Sequence, residues 1–82
     1  MTERTTAAIN KILNRWDSAS QSIIEQYDAG DIDREETQEA LIDLRNNLMF
    51  ACEVLSVLDD ETKMLDIIIN KKFEEVFYTI DK

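Results

Sequence analysis

A chain of 82 residues with no proline and one glycine, Gly30, has few places to turn. Sheets and tight connections need more punctuation than this, so the sequence points to long uninterrupted helices. A chain this short buries only a modest core, and stability shared with a partner or a second copy suits its size. One domain over 1–82 is expected, all-α, as a small antiparallel three-helix bundle: a helical hairpin plus a C-terminal helix, open to completion by dimerisation.

Apolar spacing predicts helices over about 5–29, 34–58 and 61–80. The first carries Ile9, Ile12, Leu13, Trp16, Ala19, Ile23 and Tyr27 on one face, with Asn14, Arg15, Asp17, Ser18 and Gln21 opposite. It ends in "YDAGDIDREE", where Gly30 can adopt the left-handed conformation past a helix end. Asp33 and Glu36 then form a D-x-x-E capping box, and Ile32 precedes it as a hydrophobic staple. The second helix repeats Leu41, Leu44, Leu48, Ala51, Leu55 and Leu58, a stripe suited to packing along the first. Asp59 or Asp60 is placed to cap a third helix, whose stripe is Leu65, Ile68, Ile69, Phe73, Val76, Phe77 and Ile80. The segment 67–80 also has strand-favouring composition. Helix is the better reading, because no second strand is available to pair with it.

The run "NLMFACEVLSVL" over 47–58 holds one charge, Glu53, and is far shorter than the roughly 20 residues that span a bilayer. It is the second half of the second helix. At 100° per residue, Phe50, Val54 and Val57 fall roughly 120° away from the main stripe. Toward the N-terminus the same line continues through Asp43, Glu39 and Glu36. Three readings stay open: the apolar trio packs on the third helix, forms a homodimer seam, or docks a different protein. A basic amphipathic helix would match the line, with lysines against the acids and apolar anchors against Phe50, Val54 and Val57. A solvated face is the plain reading of the acids alone.

The net charge is −9, and twelve of the 18 acids lie between Glu25 and Glu61, against Arg34 and Arg45. That balance opposes nucleic-acid binding, which needs Lys and Arg. It opposes direct membrane insertion as well, since anionic lipid repels an acidic surface. The small basic groups Arg4, Lys11, Arg15 and Lys71, Lys72 read as solvated surface. The lone cysteine, Cys52, and an N-terminal stretch without a signal-type apolar core fit a reducing cytoplasm. No catalytic, metal or cofactor residues are expected. Histidine is absent, and Cys52 has no base beside it. Reading the acidic turn as a calcium loop from Asp31 puts Glu36 where glycine is required and Ile42 where glutamate is required.

Taken whole, with "MTERTTAAINKILNRW", "DAGDIDREE" and "LIDLRNNLMFACEVL" as its main segments, the chain resembles the lysis inhibition accessory proteins of T-even bacteriophages. These are encoded at the third of the r loci. The likeness covers all 82 residues and rests on overall character, because the family has no diagnostic motif. The resemblance implies a non-enzymatic cytoplasmic antiholin in the host cytoplasm. Such a protein binds the cytoplasmic N-terminal segment of the phage holin, reinforces a periplasmic antiholin and delays host cell lysis. The assignment of Glu36, Glu39, Asp43, Phe50, Val54 and Val57 to partner binding comes from the helical wheel, not from the family. The alternative is an acidic phage inhibitor of a host defence or transcription protein, mimicking nucleic acid with its carboxylates. Clustering around one turn fits mimicry less well than acids spread at phosphate spacing.

Overall fold

A computed structural model describes residues 3–58 and 64–81. These residues form three helices: α1 (Glu3–Asp28), α2 (Arg34–Leu58) and α3 (Leu65–Asp81). Among the described residues there is no strand, so 67–80 resolves to helix. The first two helices lie within two residues of their expected limits. The third is described from Leu65, and its expected start at about residue 61 and the proposed caps Asp59 and Asp60 lie outside the described residues.

The hairpin between α1 and α2 forms as its sequence dictates. Gly30 has φ +81°, and its N–H donates to the Tyr27 carbonyl at 3.1 Å while the Asp31 N–H reaches Gln26 O at 2.9 Å. These two bonds satisfy carbonyls that the end of α1 would leave open, the Schellman arrangement. The next helix starts with a reciprocal cap. The Glu36 N–H donates to Asp33 Oδ1 at 2.8 Å, and Glu36 Oε1 accepts from the Asp33 N–H at 3.2 Å. Thr37, fully buried, donates its hydroxyl to the Asp33 carbonyl at 2.7 Å and so brings no unpaired polar group into the core. Ile32 is half-buried ahead of the cap.

Three helices of this amphipathic kind must share one core, and α2 supplies its middle. Trp16, Leu41, Leu48, Cys52, Leu65, Ile69, Phe73 and Ile80 are buried together. The α1 stripe packs onto this core through Ile9, Ile12, Leu13, Ile23 and Tyr27. Both α1 and α3 run antiparallel to α2, giving a Cα envelope of 42 × 17 × 16 Å. Midway along the bundle α1 and α3 meet. The Trp16 and Phe73 rings sit edge to face at 6.3 Å, and Lys72 Nζ lies 3.8 Å from Asp17 Oδ1. Arg45 on α2 lays its guanidinium 4.5 Å over the Phe73 ring, a cation–π contact. One residue of the expected α3 stripe does not pack: Ile68 is exposed. It sits 100° around the helix from the fully buried Ile69, which carries it off the seam.

Candidate functional site

The second face of α2 is uncovered. Phe50 is 68% exposed, Val54 50% and Val57 86%. Packing of this trio on the third helix, one of the expectations from sequence, is therefore overturned. α3 takes the other flank of α2, where Arg45 and Cys52 meet Phe73, Leu65 and Ile69. Large side chains held in water at this spacing are unfavourable for a monomer, and they mark a surface that something else can cover.

Phe50 and Val54 do not stand on a flat surface. With Ala51 and Leu55 they form one wall of a shallow hollow of about 380 Å³, and Ala8, Lys11 and Ile12 of α1 form the other. The small side chains Ala8 and Ala51 let the two helices approach and leave room above the seam. Among the described residues, Lys11 is the only charged one in the lining. Val57 continues the α2 line past the hollow, toward the end of the helix.

Glu36, Glu39 and Asp43 are all exposed on the same side of α2, toward its N-terminus. The structure thus brings the six expected residues onto one face, apolar at one end and acidic at the other. Their availability differs. Glu36 is held in the capping box by the Asp33 N–H, whereas Glu39 and Asp43 have no such local duty. The α1 wall is what sequence reasoning missed. Lys11 is exposed, in keeping with its reading as solvated surface, and the signal for its place at the hollow is the antiparallel register of the hairpin, which sets residues 8–12 beside residues 51–55.

A second groove lies between α1 and α3, beyond the Trp16–Phe73 contact. It has a volume of about 540 Å³ and is lined by Ile24, Tyr27, Asp28, Glu75, Val76, Thr79 and Ile80. The sequence held a partial signal for it. Ile24 beside Ile23 makes the apolar stripe of α1 wider than one neighbouring helix needs.

Cys52 is buried, and its thiol is pushed above the ordinary value by desolvation first and then by the negative charge of Asp66. Both effects disfavour the thiolate that a nucleophile requires. No group of three or more His, Cys, Asp or Glu among the described residues is placed to hold a metal ion. No described helix is long and apolar enough to cross a membrane.

Comparison with known proteins identifies no relative: no protein-family model, curated protein or solved structure matches the chain.

Proposed function

We propose that the chain is a non-enzymatic protein-binding regulator that captures an amphipathic helical segment on the outer face of α2. The observation that carries this reading is the exposure of Phe50, Val54 and Val57 beside an apolar hollow, in line with exposed acids. A helix laid along that face gains apolar burial against Phe50 and Val54. Its basic residues meet Glu39 and Asp43, about 16 Å away along α2 at 1.5 Å per residue between Asp43 and Val54.

Joined with the resemblance to T-even phage lysis inhibition proteins, the partner is the cytoplasmic N-terminal segment of a holin, and the role is that of an antiholin in the host cytoplasm. Sequestering an amphipathic segment in a protein groove withholds it from assembly at the membrane and delays lysis. The test is titration of the purified protein with a peptide of that holin segment at two salt concentrations. Saturable binding is expected, weaker at high salt and abolished by Val54→Asp, with folding checked by circular dichroism. No saturation at high micromolar peptide removes the antiholin reading. Binding that survives charge reversal of both Glu39 and Asp43 removes the acidic half of the site.

A further inference from the structure

We propose that the groove between α1 and α3 is a separate docking site for a cationic amphipathic helix of about three turns. Its shape gives the length. The Trp16–Phe73 contact and the Asp17–Lys72 pair close one end, and α1 continues from there to Asp28 before it stops. That is 11 residues, about 16 Å of helix. Two parallel helices that touch at one end and leave a trough beyond offer the seat in which a further helix lays its ridge.

The floor and rim give the chemistry. Ile24, Tyr27 and Val76 are only half-buried, and Ile80 closes the bottom. An occupant therefore needs apolar residues at i, i+3, i+4 and i+7. Both charged residues of the lining, Asp28 and Glu75, are acids. Glu25, which accepts a weak hydrogen bond from Gln21 at 3.4 Å, extends the negative edge along α1. Among the described residues, Lys72 stands at the closed end, where it pairs with Asp17, and Lys71 lies on the outer side of Glu75, away from the α1 edge. The complement of an apolar floor with two carboxylate edges is a helix carrying Lys or Arg on both flanks of its apolar ridge. The partner of the α2 face meets Lys11 at its apolar end, so the two sites select different charge patterns.

The test uses the full chain, ¹⁵N-labelled, titrated with a synthetic amidated peptide of about 14 residues, long enough to sample helix. Leucines occupy the ridge positions and lysines the flanks, and a control peptide replaces each lysine by glutamate. The lysine peptide is expected to saturate, with amide shifts centred on Ile24, Tyr27, Val76 and Ile80, and the glutamate peptide to bind far less. Asp28→Lys with Glu75→Lys, both at exposed positions, should weaken the lysine peptide about tenfold, while Val54→Asp leaves it unchanged. Three outcomes overturn the proposal: no saturation up to about 1 mM, shifts centred instead on Phe50 and Val54, or the same amides already shifted by self-association in the absence of peptide. This inference is independent of the antiholin reading. A holin peptide blocked by the Asp28/Glu75 reversal and indifferent to Val54→Asp would move that partner to this groove.

Discussion

Two troughs run along α1, one on each shoulder. Toward α2 the floor is Ile12, Ala51, Val54 and Leu55, and the one charge in the lining is Lys11. Toward α3 the floor is Ile24, Val76 and Ile80, and both charges are carboxylates. Hydrophobic burial is non-directional, so apolar floors alone would accept much the same ligands. The edges differ in sign, and charge decides register and partner more than it decides affinity. The first trough also reaches its acids only farther along α2, at Asp43 and Glu39, whereas the second has them at its rim.

The broadest way to break this comparison is to remove the core that holds both troughs. Ile69 has no exposure, and Ile69→Ala should cost about 3 kcal/mol in urea unfolding through lost burial and a residual cavity. Both binding activities should weaken together. A cost below about 1 kcal/mol would show that α3 is not seated as described.

A matched pair of substitutions sharpens the contrast next. A carboxylate at the half-buried Ile24 is expected to destabilise by about 1–3 kcal/mol. At the exposed Phe50, Phe50→Asp should stay within about 0.5 kcal/mol while eliminating capture on the α2 face. Equal stability losses would mean that Phe50 is covered in solution, and concentration-dependent mass would then reveal the homodimer seam.

A third effect is common to both troughs. Asp33→Ala removes the reciprocal cap that starts α2 and should cost about 1 kcal/mol, read as a lower melting temperature without change at either groove. The smallest concerns Cys52. Its folded thiol titrates above its ordinary value of 9.0, so the folded state holds this proton more tightly than the unfolded chain does. The resulting stability is complete below pH 9 and is lost as pH rises from there through the folded value. Cys52→Ser should flatten that alkaline decline, and an unaltered decline would assign it to other groups.

Most of the fold was legible because helix periodicity and turn chemistry act locally. The inward stripe of α1, the left-handed Gly30 and the Asp33–Glu36 cap all appear where short-range rules put them. The second face of α2 was legible too, as a direction on a wheel. What covers that face was not. A helical hairpin can receive a third helix on either side, and apolar spacing does not specify the hand. The structure sets α3 against Arg45 and Cys52, so Phe50, Val54 and Val57 were left in water. Lys11 is exposed, as expected, but its place at the edge of the hollow was hidden for a related reason, since its neighbours 51–55 are some forty residues away and become adjacent only through the hairpin register.

The Trp16–Phe73 contact has a spectroscopic consequence. Trp16 is the only tryptophan in the chain, it is 2% exposed, and it also lines the hollow at the closed end of the α1–α3 trough. Its indole emission is therefore a single-site signal, blue-shifted while the helices are packed and red-shifted once α3 separates from α1. Occupants of the α1–α3 trough arrive within reach of that ring, whereas those of the α2 face do not. Without any added label, intensity changes at constant wavelength would sort ligands by the groove they enter.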